Sequence, residues 1–225
     1  MKQNTTIRMI TDCREKQKTR PLYEQAFEDP EAFVDYYYRE KCKDNKMVVL
    51  EEDGNILSMV HLNPYTVSVC GTKAPSYYLV AVATDKNHRR QGYMARVLEA
   101  AFSEMEREGI PFCFLLPVDE AIYRPFGFRT VCDFITRENP LSSLSRDEVQ
   151  KRFDVYCVQD ALYRRRREEE DRLAEEDAAE VLPENPVIMA RVVDKASFSL
   201  LFPGKAGQAD VNLLQACRCY FREEV

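Results

Sequence analysis

The pattern of apolar and polar positions in the first part of the chain predicts alternating strands and helices. Residues 6–10, TIRMI, have the apolar content of a short strand, and 18–27 and 31–41 predict two helices rich in aromatic side chains. In 45–62, the tripeptide Asp53-Gly54-Asn55 separates two apolar runs. These residue types accept a positive φ, so the segment is predicted to form a hairpin.

The apolar runs at 65–84 repeat this pattern, with a longer loop expected at 71–76. Residues 77–84 are nearly all apolar, which is typical of a central strand covered on both faces. A helix is predicted after Gly92, because apolar residues recur there every three or four positions and Gly109 supplies a C-terminal stop. The apolar stripe consists of Met94, Val97, Leu98, Ala101, Phe102 and Met105.

A strand at 111–117, a short helix at 118–124 and a strand at 126–136 follow. The complete order is β-α-α-β-β-β-α-β-α-β, which predicts a mixed α/β fold with an α+β type of sheet.

A polar segment with one proline and three serines, residues 139–147, indicates a domain boundary. We therefore expect one domain over 1–138 and a smaller appendage over 139–225. Within the appendage, 186–193 predicts a strand and 210–222 a short amphipathic helix.

The stretch 162–180 is highly charged and predicts a solvent-exposed helix. Pairs four residues apart, Arg164 with Glu168 and Arg167 with Asp171, would support it. Binding of a partner is the alternative role for this stretch.

Composition narrows the function classes. The net charge of −6 argues against non-specific nucleic-acid binding, which requires a basic surface. The sequence has neither an apolar run of about 18 residues, as a membrane span requires, nor an N-terminal apolar core of signal-peptide length. A cytoplasmic protein without membrane association is the expectation.

The eight cysteines lie mostly in apolar segments and are expected to be reduced core residues. Cys217 and Cys219 are too close in sequence for a typical zinc-ligand pair, and the chain has only two histidines. No metal site is therefore predicted.

The junction between the strand at 77–84 and the helix after Gly92 is the first candidate site. A helix that starts behind a glycine presents free backbone N–H groups, and Arg89 and Arg90 add positive charge beside them. This combination favours binding of a pyrophosphate, although an ordinary basic loop would give the same pattern. Neither a P-loop motif nor a G-x-G-x-x-G motif is present.

The segment from Arg89 to Met94, RRQGYM, resembles the acetyl-CoA motif Q/R-x-x-G-x-G/A of the GNAT N-acetyltransferases. It matches at Arg89 and Gly92 and departs from the motif at Met94. A second segment, from Tyr123 to Phe128, resembles the Y-x-x-x-G-F that often ends a helix in this family. The two motifs stand in the family's order, and the resemblance covers about 80–128.

The finer resemblance is to the Eis-like (enhanced intracellular survival) branch, which carries H-R-R-x-G and I-Y-x-x-F-G-[FY]. His88–Met94 and Ile122–Phe128 fit these motifs. Eis-like proteins have two tandem GNAT-like regions and a C-terminal sterol-carrier-like domain. By this resemblance, 139–225 would be a shortened remnant of the later domains.

The resemblance implies direct acetyl transfer from acetyl-CoA to an amine, with Tyr123 as the general acid that protonates the leaving thiolate. A core tyrosine is the alternative reading of Tyr123. The pyrophosphate would lie on the amides of 90–95, and the pantetheine arm on the backbone where the sheet splays, at 82–84. The implied cofactor-binding residues are Val82, Ala83, Thr84, Arg89, Arg90, Gln91, Gly92, Tyr93, Met94 and Ala95.

The base that would deprotonate the incoming ammonium is not assigned. Asp119 and Glu120 are acidic candidates just before Tyr123. The aromatic residues of 23–38 would either pack in the core or line an amine pocket. His61 is expected to be a structural strand residue and His88 a loop partner.

The acceptor also stays open: an amine-bearing small molecule or a protein lysine would serve, and a homo-oligomer is a further option. The alternative function is a non-catalytic GNAT-fold module that binds acetyl-CoA or a protein partner.

Overall fold

The computed structural model describes residues 5–176, 182–205 and 209–223. The strands in these residues are β1 (Thr6–Ile10), β2 (Lys46–Glu52), β3 (Asn55–Val69), β4 (Thr72–Thr84), β5 (Phe112–Leu115), β6 (Arg129–Asp133), β7 (Val155–Cys157), β8 (Val187–Val192) and β9 (Cys219–Tyr220). The helices are α1 (Cys13–Lys16), α2 (Arg20–Ala26), α3 (Glu31–Glu40), α4 (Tyr93–Arg107), α5 (Glu120–Tyr123), α6 (Arg146–Arg152), α7 (Ala161–Glu176), α8 (Lys195–Leu200) and α9 (Asn212–Gln215).

The mixed α/β class is confirmed, and the element order predicted up to 138 is observed except for the short helix α1, which was not predicted. The chain divides into two compact units that do not follow sequence order. The first unit combines Met1–Asn63, Leu79–Glu104 and Leu162–Glu180, and the second combines Pro64–Tyr78, Met105–Ala161 and Val181–Val225.

The first unit is built on antiparallel strands. β1 pairs with β2 from Thr6 opposite Glu51 to Ile10 opposite Met47, and β2 continues into β3 through the predicted hairpin. Asp53 and Gly54 have φ values of 50° and 83°, which a two-residue hairpin turn requires.

The core of the first unit holds an aromatic cluster that joins α2 and α3 to β3. The ring centroids of Tyr23 and Tyr37 are 5.4 Å apart, and those of Tyr37 and His61 are 5.8 Å apart. Tyr37 and His61 are fully buried. The core-packing interpretation of these tyrosines therefore agrees with the structure.

The charged helix α7 packs against α3 in the same unit, so the prediction of a solvent-exposed helix is wrong for one of its faces. The Lys41 ammonium lies 2.8 Å from the Glu170 carboxylate, and both side chains are buried. Tyr36 Oη donates to the same carboxylate, at 3.1 Å. On the buried face of α7, ion pairing therefore compensates charged groups that the sequence pattern predicted to be exposed to solvent.

The pairs of charged residues predicted along α7 are confirmed only in part. Arg167 and Asp171 form their pair at 3.0 Å. Among the described residues, Arg164 and Glu168 form none. The end of the charged stretch, 177–180, lies outside the described residues.

The second unit has a sheet in which β4 and β5 are parallel and the next neighbours antiparallel. Tyr77 is opposite Cys113 in the parallel pair. β8 lies between β5 and β6, with Phe114 opposite Ala190 and Arg129 opposite the same Ala190. The strand predicted at 186–193 is thus confirmed as part of this unit, whereas a boundary at 138 stays a prediction.

The loop predicted at 71–76 is the first of two local predictions in the second unit that are wrong. The expected loop at 71–76 is a two-residue turn, because Cys70 and Gly71 take φ values of 49° and 85° and β4 starts at Thr72. Ala74 and Ser76 are buried while Lys73 and Pro75 are exposed, which is the alternation of a strand with one buried face.

The helix predicted at 210–222 ends at Gln215, and Cys219–Tyr220 is instead strand β9 beside β7. The apolar residues that suggested one helical face are divided between these two elements. Backbone pairing with β7 overrides the helical periodicity.

Candidate functional site

The end of β4 leads directly into the predicted pyrophosphate loop, and its backbone is irregular there. Ala81 has a φ of 52°, which is uncommon for a residue with a side chain inside a strand. Ser58 on β3 donates its hydroxyl to the Ala83 carbonyl at 2.9 Å, and its oxygen is 2.9 Å from Thr84 Oγ1. Side-chain bonds therefore hold the strand end that precedes the loop.

Asp85 organises the first half of the loop. Its carboxylate accepts hydrogen bonds from the backbone N–H of Asn87 at 2.9 Å, from the His88 ring at 2.7 Å and from the Gln25 amide at 2.9 Å. Gln25 in turn accepts from the backbone N–H of Lys86 at 3.1 Å. These bonds, the one from His88 first, lower the pKa of Asp85 below its usual range.

The second half of the loop turns into α4 through two residues with positive φ, Arg90 at 62° and Gly92 at 78°. The helical hydrogen bonds start with the Arg96 N–H, which donates to the Gly92 carbonyl at 3.2 Å. Helix geometry leaves the amides just before Arg96 outside this ladder. A Cβ atom added to Gly92 would meet no atom within 4 Å, so the space in front of the helix is open.

The electrostatics at this helix start are positive. Arg89, Arg90 and Gln91 are exposed, and Arg89 Nε donates to the Thr84 carbonyl at 3.4 Å. Met94 and Ala95 are half-buried. Basic side chains, helix amides and an open glycine are the features that bind phosphate oxygens.

Tyr93, a member of the predicted cofactor-binding set, is buried. Its ring stacks on His88 with 6.5 Å between centroids, and the Arg96 guanidinium lies 5.9 Å from its centroid. His88 therefore contacts Asp85 on one side and Tyr93 on the other, which agrees with its expected role as a loop partner.

Tyr123 lies in the second unit, at the end of α5. Its side chain is 8% exposed, and its ring meets Phe128 edge to face at 5.9 Å. Its hydroxyl has no hydrogen-bond partner among the described residues. Burial raises the pKa of Tyr123 to about 12, so the phenol keeps its proton over the neutral range.

The two acidic residues before Tyr123 have structural partners. Asp119 caps α5, because its carboxylate accepts from the Ala121 N–H at 2.8 Å. Glu120 accepts from the Thr130 hydroxyl and lies 3.1 Å from Arg124. These two contacts, Thr130 first, lower the pKa of Glu120. Both carboxylates hold the short helix and its neighbours in place.

Gly127 ends the same segment with a φ of 82°. A Cβ atom there would lie 3.0 Å from Arg191 Nη1, and this guanidinium donates to the Phe126 carbonyl. The glycine of the second motif therefore suits the positive φ, and a Cβ atom there would be in tight contact with an arginine side chain from β8.

His61 is a structural residue, as expected. Its Nδ1 is 2.9 Å from the Tyr37 hydroxyl, and complete burial lowers its pKa to about 3.

Three residues that the sequence reasoning missed support these segments: Gln25, Asp85 and Arg191. Asp85 lies between the strand at 77–84 and the motif, and its role could have been predicted, since aspartate often binds its own backbone two residues on. Gln25 and Arg191 come from distant parts of the chain and carry no sequence signal toward the loops they bind.

In the described ranges no three His, Cys, Asp or Glu side chains are grouped so that they could hold a metal ion. Within the same ranges no helix combines the length and the apolar content that crossing a bilayer requires.

A family model described as "Acetyltransferase (GNAT) domain" matches residues 6–131. No curated protein matches the chain. Among solved structures, a conserved protein of unknown function from Enterococcus faecalis V583, described as a probable N-acyltransferase, has a TM-score of 0.54 at 17% identity. That match covers 58% of this chain and 33% of the other, so this chain spans about a third of that relative.

The ribosomal-protein-S18-alanine N-acetyltransferase from Escherichia coli has a TM-score of 0.52 at 14% identity, over 84% of this chain and 94% of that one. At these identities the structural matches show the fold.

Proposed function

Because the chain belongs to the GNAT acetyltransferase family, we propose that it is an N-acetyltransferase that moves an acetyl group from acetyl-CoA to a primary amine. The observation that carries the proposal is the start of α4, where Gly92 has a φ of 78° and open space in front of it. Members of the family bind acetyl-CoA, and the chemistry of this loop fits the diphosphate of that molecule.

The cofactor would be held by residues of the first unit. Amides of 90–95 and the side chains of Arg89 and Arg90 would bind the pyrophosphate. The backbone of 82–84 would bind the pantetheine arm and direct an N–H group at the acetyl carbonyl oxygen. Bound acetyl-CoA supplies the thioester that an amine attacks.

Tyr123 would act as the general acid. Its hydroxyl makes no hydrogen bond within the described residues, and its pKa of about 12 keeps the proton on the oxygen until a stronger base forms. A departing thiolate is such a base only when it is desolvated close to the phenol. The role therefore depends on approach within hydrogen-bond reach.

The finer proposal is membership of the Eis-like branch. His88 through Met94 and Ile122 through Phe128 support it, and the bulky Met94 is less unusual in that branch. The acceptor would be an amine-bearing small molecule or a protein lysine. The domain division at 138 belongs to this finer proposal.

A second candidate function is a non-catalytic module that binds acetyl-CoA. One observation favours it: Asp119 and Glu120, the acidic residues beside Tyr123, are both engaged in local structure. A transferase needs a base for the ammonium, and neither carboxylate is free for that task.

Titration calorimetry with acetyl-CoA tests the binding part. We expect micromolar affinity for the wild type and at least a tenfold loss in Gly92→Glu. Gly71→Glu is the matched control, because Gly71 has a φ of 85° and is equally open, so it carries the same backbone strain. Absence of binding at millimolar cofactor, or equal losses in both variants, would overturn the cofactor site.

A thiol-release assay over a panel of amines separates the two candidate functions. Amine-dependent release of free thiol supports the transferase. Tight binding without release over the panel supports the non-catalytic module.

A further inference from the structure

Two cysteine side chains meet in the second unit, and neither belongs to the proposed acetyl-CoA site. The sulfur atoms of Cys70 and Cys217 are 4.0 Å apart although the residues are 147 positions apart in sequence. Cys70 is exposed and Cys217 is half-buried. The proposed acetyl transfer uses neither thiol.

Cys70 occupies an unusual place for a cysteine. It is the first residue of the two-residue turn between β3 and β4, with a φ of 49°, followed by Gly71 at 85°. Asparagine, aspartate and glycine are preferred at such positions, because most side chains are strained there. The conformation of the turn therefore does not account for a cysteine at this position. A role of the thiol group would account for it.

One residue, Asp154, fixes the backbone on both sides of the pair. Its carbonyl accepts from the Cys70 N–H at 2.7 Å. Its carboxylate accepts from Arg218 Nε at 3.0 Å and Nη2 at 2.9 Å, next to Cys217 in the chain. Because Asp154 holds both segments, the two sulfur atoms are kept near each other in the reduced protein.

Cys217 is also held locally. Its N–H donates to the Leu214 carbonyl at 3.0 Å, and its thiol donates to the Leu213 carbonyl at 3.2 Å. The Cys217 thiol is thus oriented by its own chain segment, and it lies next to the exposed thiol of Cys70.

We propose that Cys70 and Cys217 form a peroxide-sensitive dithiol site that closes to an intramolecular disulfide. The Cys70 thiol releases its proton, its thiolate attacks one oxygen of hydrogen peroxide, and the O–O bond breaks. A sulfenic acid forms, and the hydroxide that leaves takes up the released proton as the first water. The Cys217 sulfur then attacks the Cys70 sulfur and displaces the hydroxyl group, which leaves as a second water with the Cys217 proton. Two thiols lose two electrons in total, and the peroxide is reduced to two waters.

The closed bond requires the sulfur atoms to approach from 4.0 Å to about 2 Å. The bond would tie the β3–β4 turn to the segment after α9. The disulfide would enclose a long segment of the chain, and cross-links that enclose long segments restrict the conformations of the unfolded state most.

The test uses the full chain treated with hydrogen peroxide and then blocked with an alkylating reagent. We expect intact mass to fall by about 2 Da before alkylation, with a Cys70–Cys217 peptide pair after digestion. The melting temperature of the oxidised protein is expected to rise by about 5–10 °C, and reduction with dithiothreitol should reverse the rise.

Serine variants identify the pair. Cys70→Ser and Cys217→Ser should each abolish the mass loss and the rise in melting temperature. Cys13→Ser, at the other cysteine that is exposed, and Cys219→Ser, two residues beyond Cys217, should each retain both effects. A mapped bond between any other pair of cysteines, a bond between two chains, or no loss of mass in the wild type would overturn the proposal.

Discussion

The His88 ring donates from Nδ1 to the Asp85 carboxylate at 2.7 Å, and this contact closes the loop that leads to α4. Asp85 is at the end of β4, whereas His88 stacks on Tyr93 at the first turn of the helix. The pair therefore connects the strand to the helix start by side chains as well as by the backbone. A proposed diphosphate site would be formed before its ligand arrives, which lowers the ordering cost of binding.

Replacing Asp85 should weaken acetyl-CoA binding although its carboxylate points at the protein. Asp85→Ala removes the acceptor of three hydrogen bonds, so the loop samples more conformations. We expect affinity to fall by about 10-fold, since about 1.4 kcal/mol of preorganisation corresponds to that factor. Titration calorimetry with acetyl-CoA measures this affinity. Asp154→Ala, which removes a similarly bonded carboxylate in the second unit, should leave the affinity unchanged. Equal affinity of Asp85→Ala and wild type would contradict the positioning role.

The buried pair of Lys41 and Glu170 should make α7 sensitive to single substitutions. Glu170→Ala leaves the Lys41 ammonium buried without its carboxylate, and such changes cost about 3–5 kcal/mol. Urea denaturation measures the loss of unfolding free energy. The adjacent Glu169→Ala is the matched control, because Glu169 forms an exposed pair with Arg172 at 2.8 Å and pairs of that kind contribute about 0–1 kcal/mol.

The double variant Lys41→Met with Glu170→Leu separates charge from packing. We expect it to recover most of the loss, since two apolar side chains of similar size leave no unpaired charge. If the double variant is as unstable as Glu170→Ala, packing of α7 rather than the ion pair accounts for the loss.

Local patterns predicted the elements up to β6, apart from α1, because each of the others carries its own signal. The stripe of α4 and the Asp53-Gly54 turn are decided by residues that are neighbours in sequence. The turn at Cys70 was mistaken for a loop because proline and lysine suggest one, whereas the buried face formed by Ala74 and Ser76 decides for a strand.

Contacts between residues far apart in the sequence determine the features that local patterns did not predict. The face that α7 turns toward α3 depends on Lys41, about 130 residues away, and strand β9 depends on β7. In the candidate site, the motif residues from Arg89 to Met94 were predictable. The contacts of Gln25 and Arg191 were not, because their partners become neighbours only in the folded chain.

The stability of the fold should decline in mild acid because of His61. Its pKa is about 3 in the folded state and about 6.5 when the chain is unfolded. A depressed basic group gives full stability above the unfolded pKa, and that stability is lost as the pH falls from about 6.5 toward 3. At pH 5 the loss is about 2 kcal/mol relative to pH 7.

Urea midpoints measured between pH 7.5 and pH 4.5 check this dependence. His61→Gln should be less stable at pH 7 but show a flatter pH profile. His88→Gln is the control for loss of a histidine, because His88 is the other of the two histidines in the chain. An unchanged slope in His61→Gln would assign the acid sensitivity to other groups.

The acid role of Tyr123 predicts a loss in kcat without a loss in cofactor affinity. Tyr123→Phe removes only the hydroxyl, and its ring can keep the edge-to-face contact with Phe128. In an active wild type we expect kcat to fall by about 100-fold or more, the usual range for a general acid. The Kd for acetyl-CoA should stay within twofold. Tyr156→Phe, a half-buried tyrosine in the same unit, should leave both values unchanged.

The pH profile adds a readout that a structural role would not move. Because burial raises the pKa of Tyr123 to about 12, the phenol keeps its proton and kcat should show no decline from its ionisation up to about pH 10. An alkaline decline that disappears in Tyr123→Phe would mean that the phenol ionises much earlier. Unchanged turnover in Tyr123→Phe would remove the acid assignment and leave Tyr123 as a core residue at the end of α5.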